Sequence, residues 1–137
     1  MRHVHRSPLS SRAAAWLARQ QASLATDSAM DADALWGKRR KTMNTNGIVA
    51  TLATMTGIRQ RCMFCGDSHG GDIEHFRPKS LAIYRSHVFE WSNLLWLCTP
   101  CNRRKGNRFP VDPSGEPRAV QRSPSSAKCR ALTAADA

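Results

Sequence analysis

The chain is short of aromatic side chains, of acids and of long apolar runs. Aromatics make up 7% of its 137 residues, with a single tyrosine. That excludes a large packed core, and the length allows one domain of modest core and hardly two. Phe89, Trp91, Trp96 and Phe109 lie close together in the chain, so the packed centre is expected between 89 and 109. A core this thin calls for a staple such as a metal. No apolar run is long enough for a membrane span, so no membrane partner is expected. No apolar signal segment follows the first residues, so a cytoplasmic location is expected.

The shortage of acids is equally informative. Ten Asp and Glu against 21 Lys and Arg leave a net charge of +11. Residues 1–58 carry +5 (eight basic, three acidic), 59–108 carry +5 (nine basic, four acidic) and 109–137 carry +1. The positive field thus covers the middle of the chain and the segment before it. Such a field suits a polyanion, because neutralised phosphates release counterions. A basic protein that merely stays dispersed would carry the same charge.

Five cysteines are present. Four form two identical spacings, Cys62-Met63-Phe64-Cys65 and Cys98-Thr99-Pro100-Cys101, and Cys129 stands alone in a polar tail. Without an export signal, paired Cys-x-x-Cys points to metal binding rather than disulfides. Zn²⁺ takes four tetrahedral thiolates in structural sites, and each short turn can aim two sulfurs at one ion. Gly66 frees the backbone directly after the first pair. A structural zinc contributes on the order of 10 kcal/mol to folding. Redox dithiols and unrelated buried cysteines are the competing explanations.

Residues 1–10 look like a disordered lead-in. Ser10 or Ser11 is expected to cap a helix through about Leu24, rich in alanine. Ser28-Ala29-Met30-Asp31 fits a capping box opening a second helix that carries Leu35, Trp36 and Met43. A short third helix is expected from Ile48 to Met55, ended by Gly57. Then come a knuckle at 62–65, a glycine-rich turn, a strand at Ile73–Phe76 halted by Pro78, and a long loop to Ser92. A strand at Leu94–Leu97, the second knuckle and a helix opening near Asn102 complete the ordered part. From Asp112 onward Pro, Ser and Ala dominate, and disorder is expected.

Between the cysteine pairs lie Asp72-Ile73-Glu74-His75-Phe76-Arg77-Pro78 and Trp91-Ser92-Asn93-Leu94-Leu95, and the second pair runs into Asn102-x-x-Lys105-Gly106. In this order the motifs resemble the HNH endonuclease superfamily, over roughly residues 61–110. A looser likeness extends to a bacterial subgroup that includes nucleases of anti-phage defence. The resemblance implies a small ββα-metal core stapled by a four-cysteine zinc site. With the two or three helices before it and the disordered tail after it, both read from the residues, an α+β fold is expected, divided into a helical extension 1–58, a nuclease domain 59–112 and a tail 113–137. His75 takes the place of the general base, and Asn93 that of the residue holding the catalytic loop. Asn102 and Glu74 match the protein ligands of the catalytic ion. The resemblance also implies 5′-phosphate and 3′-hydroxyl products.

The chemistry of these residue types agrees. Imidazole titrates near neutrality and can take a proton from water. A carboxylate and an amide oxygen suit Mg²⁺ or Mn²⁺ better than zinc. Asn102, expected at a helix start, would add free N–H groups for phosphate. Glu74 is one methylene longer than the aspartate usual in the family, so Asp72 is a candidate to share its work. Regular strand alternation would put Glu74 and His75 on opposite faces, so a shared site needs the strand to end or bulge there. Arg77, Lys79, Arg103, Arg104, Lys105 and Arg108 flank this centre and are expected to hold the phosphates of double-stranded DNA, although each alone could be a solvated charge. His87 is a solvated loop histidine, a substitute metal ligand or a DNA contact, and Trp91 and Trp96, which could stack bases, are better assigned to the core. A non-catalytic zinc module that binds nucleic acid is the rival expectation. A subunit that meets a protein partner through its N-terminal helices is the third.

Overall fold

The computed structural model of the chain describes residues 4–109. The tail expected at 113–137, with Cys129, lies outside them. Four α-helices and two strands are described: α1 Ser11–Thr26, α2 Ala32–Thr45, α3 Ile48–Thr54, β1 Asp72–His75, β2 Leu94–Leu97 and α4 Thr99–Lys105. The architecture is mixed helix and sheet, α+β in kind. Among the described residues no helix is long and apolar enough to cross a membrane.

Ser10 caps α1, its hydroxyl accepting from Ala13 N–H at 3.2 Å. The helix continues past Leu24 because Arg85 reaches its far end, donating to Leu24 O and Asp27 O. A cation there satisfies the last open carbonyls. The capping box expected at Ser28 does not form. Asp31 is the cap of α2, accepting from Ala34 N–H at 2.7 Å. Asp27 instead folds back onto Ala29 N–H and makes a turn of residues 27–30, and an aspartate three residues later caps at least as well as a serine.

Residues 4–10 are not the free lead-in expected. Arg6 lies over the Trp91 ring at 5.4 Å and donates to Ser92 O, while Trp91 Nε1–H donates to Ser7 O. The loop expected from 79 to 92 contains two 3₁₀ turns, Ala82–His87 and Trp91–Asn93.

β1 and β2 pair antiparallel with Glu74 opposite Leu95 and His75 opposite Leu94. All four residues of β2 are buried; α3 packs against the strand, and Met63 of the first knuckle bonds to its Trp96. The core is wider than the 89–109 segment expected: it takes in residues of α1, α2 and α3, while Trp91 and Phe109 pack only at its edge. Phe89 meets Trp16 of α1 at 6.3 Å and Trp36 of α2 at 5.4 Å, so the N-terminal helices lie against this centre.

Gly70 marks the tightest approach. A Cβ there would fall 2.2 Å from Trp96 Cδ1 and 2.3 Å from its Nε1, and that indole is buried. Gly70→Ala is therefore expected to lower stability by about 1–3 kcal/mol, the range for overpacking, as read by urea denaturation.

Candidate functional site

The first knuckle is a small hairpin bolted to the sheet. Arg61 pairs with His69, Gly66 N–H donates to Cys62 O from a positive φ of 66°, and Met63 N–H donates to Trp96 O at 2.9 Å. β2 then delivers Cys98 directly, and Pro100 lies in the first turn of α4, where its fixed φ suits the helix. The sulfurs of Cys62, Cys65, Cys98 and Cys101 all lie within 4.8 Å of one another, with Cys65 and Cys98 4.0 Å apart. No disulfide joins them. A tetrahedral ion with Zn–S near 2.3 Å sets its sulfurs about 3.8 Å apart, so the four can hold a metal such as zinc. Burial opposes ionisation of Cys65, yet backbone N–H groups of Ser68 and Asp67 and the neighbouring thiols bring it down to about 6. Burial pushes the Cys98 thiol up.

β1 keeps regular alternation. Ile73 and His75 are buried while Asp72 and Glu74 are half-buried, so Glu74 and His75 leave the strand on opposite sides. The strand does end at His75, and Glu74 Oε1 turns back to accept its N–H at 2.9 Å. The same oxygen lies 3.4 Å from Lys105 Nζ. Asp72 is taken by Arg40 at 3.1 Å and by the Thr99 hydroxyl at 3.2 Å.

His75 is only 1% exposed. Its Nε2 lies 2.9 Å from Val88 O. A carbonyl can only accept, so Nε2 carries the proton and Nδ1 is the bare nitrogen of the neutral ring. Trp36 stands edge-on to it, ring centres 4.1 Å apart. Burial lowers the His75 pKa to about 3, helped by the charges of Lys79 and Lys105 and opposed by the Val88 contact and Asp33.

Asn93 is fully buried and ties three segments together. Its Oδ1 accepts from Arg77 N–H at 2.7 Å, its Nδ2 donates to Arg77 O and His87 O, and its own carbonyl accepts from Phe76 N–H. Asn102 does not open a helix. α4 begins at Thr99, and Asn102 N–H is already given to Cys98 O, so the free donor expected for phosphate is absent. Asn102 is half-buried, one turn before Lys105.

The basic residues divide. Arg103, Arg104 and Arg108 are exposed. Arg77 lies against the Phe76 ring at 5.8 Å, and Lys79 pairs with Asp33 at 2.8 Å. Lys105 departs from the expectation of a phosphate contact: it is buried against Glu74. His87 pairs with Glu90.

No family model matches the chain, and no solved structure matches it. Over 95 residues it is 28% identical to the Septu protein PtuB of Bacillus thuringiensis, a stretch that covers 66% of this chain and 33% of that protein. The chain thus spans about a third of the length of this curated relative.

Asp33, Trp36 and Arg40 were not expected at the site. They recur at positions i, i+3 and i+7 of α2, one helical face, and touch Lys79, His75 and Asp72 in turn. That spacing is visible in the sequence, but its partner strand is not.

Proposed function

We propose that the chain is a metal-dependent HNH-type endonuclease that hydrolyses phosphodiester bonds of double-stranded DNA, with a ββα-metal core fastened by zinc in the four-cysteine cluster. The observation that carries this is the state of His75. Its Nε2–H is committed to Val88 O, so the neutral ring offers Nδ1 as a base, at the end of the strand that also carries Glu74. The likeness to Septu protein PtuB adds support from outside the site.

On this basis His75 takes the proton of the attacking water at Nδ1. Glu74 and Asn102, with Asp72 as a further oxygen donor, would hold Mg²⁺ or Mn²⁺, whose charge offsets that of the phosphate when bound. Asn93 keeps the backbone at Arg77 and His87 in register. Arg77, Arg103, Arg104 and Arg108 hold the duplex, joined by Lys79 when it leaves Asp33. Because Trp36 covers the imidazole, water reaches it only after that indole shifts. A protein partner bound to α1, α2 or α3 is one way to move it.

The buried state of His75 and the ion pair on Glu74 favour a second reading, a zinc module that binds nucleic acid without cutting it. The test is supercoiled plasmid with the zinc-loaded protein and Mg²⁺ or Mn²⁺. Nicking is expected, and His75→Ala should abolish it at unchanged zinc content. If wild type and His75→Ala bind DNA equally and neither cuts under any divalent ion, alone or with a co-expressed neighbour, the binding module is the right description.

A further inference from the structure

We infer that Lys105 is a built-in counter-ion of Glu74, which holds that carboxylate in place and keeps any divalent ion bound to it weakly. This rests on the proposal above that Glu74 is a metal ligand.

Lys105 sits among the basic residues of α4 and its flank, yet behaves unlike them. Arg103, Arg104 and Arg108 face solvent, whereas the Lys105 side chain is 4% exposed. A buried ammonium needs compensation, since taking it from water is costly. Two acceptors supply it: Glu74 Oε1 at 3.4 Å and Gly106 O at 3.3 Å. Glu74 Oε1 also takes the His75 N–H, so one carboxylate oxygen is spent on the protein itself and Oε2 is left for an external ion.

The pair brings its own neutrality. Affinity for hard divalent ions follows the net charge of the ligands, and here −1 is offset by +1. The neighbouring acid is treated in the same way, with Asp72 held by Arg40. Both carboxylates on the outer side of β1 therefore carry a protein cation. A resident metal site would leave such acids unpaired. This arrangement instead suits an ion that enters with the phosphate oxygens of its substrate, whose charge makes up the deficit. Lys105 is thus a positioning residue rather than a catalytic one.

The experiment is Mn²⁺ titration of the zinc-loaded full chain, read by the electron paramagnetic resonance signal of unbound Mn²⁺. Thiolates retain zinc against Mn²⁺, so the two sites stay separate. K105M and K105Q should each bind Mn²⁺ about tenfold more tightly than wild type or more, as expected when a unit charge a few ångströms away is removed. K105Q keeps a donor toward Glu74 without the charge, so it serves where K105M fails to fold. K105R should stay within about twofold of wild type, and Glu74→Gln placed in the tight variant should cancel the gain. Equal or weaker Mn²⁺ binding in K105M and K105Q overturns the inference, as does binding that survives Glu74→Gln or is absent throughout. If the variants tighten as stated while wild type never nicks DNA, the counter-ion stands and the endonuclease proposal falls.

Discussion

Cys98→Ser is expected to release zinc and unfold the segment from Arg61 to Lys105, and a strong chelator should do the same to the unaltered protein. Each strand of the sheet has four residues, and a two-stranded sheet of that size does not stand alone in water. α4 has seven residues, too few for an isolated helix. What joins these pieces is the sulfur cluster: Cys62 and Cys65 on the hairpin, Cys98 at the end of β2, Cys101 in the first turn of α4. A structural zinc contributes on the order of 10 kcal/mol, comparable with the whole stability of a small domain, roughly 5–15 kcal/mol. Zinc content by indicator dye, with circular dichroism and thermal melting, reads the result. One equivalent of zinc and a cooperative melt are expected for wild type, and neither for Cys98→Ser. A Cys98→Ser protein that melts normally would show that the cluster is not the staple.

The parts of this molecule that announce themselves in sequence are those set by local chemistry. Two equal cysteine spacings, an apolar Leu94–Leu97 run between turn signals and an alanine-rich segment after Ser10 each define an element without help from distant residues. The helix expected to open near Asn102 opens at Thr99 instead, because proline is favoured in a first turn and Pro100 fits there, so Asn102 lies in a hydrogen-bonded position rather than at an open helix end. Ser28 and Asp31 are both good caps, and only the fold of 27–30 decides between them.

The site itself was less legible, because its decisive contacts are tertiary. Lys105 lies in a run of basic residues and carries no local mark that it alone turns inward to Glu74. Trp36 reads as ordinary core at helical spacing, and so it is, but one of the groups it buries is the ring of His75. Sequence order lists the members of a motif. Whether an imidazole in that motif meets water depends on a helix some 40 positions earlier in the chain.

That dependence gives the second large effect. Trp36→Ala should destabilise the protein by roughly 3–5 kcal/mol, the usual cost of emptying a buried aromatic site, while making His75 more reactive. Trp36 is 6% exposed and packs on both His75 and Phe89. In wild type the ring should resist acylation by diethyl pyrocarbonate while His69 and His87 react, and in Trp36→Ala peptide mapping should find His75 modified as well. The pH dependence should change with it. A histidine with an unfolded pKa of 6.5 and a folded value of about 3 is protonated first in the unfolded chain, so stability is full above 6.5, falls as the pH drops through that window and levels off below it. Each pK unit is worth about 1.4 kcal/mol, and the slope should shrink in Trp36→Ala because water then solvates the imidazolium. Urea denaturation at several pH values, with zinc content followed in parallel, separates this slope from acid release of zinc held by the four cysteines, which is expected to be the same in both proteins. If His75 of wild type is acylated as fast as His87, Trp36 is no cover, and His75 already meets water as a base must.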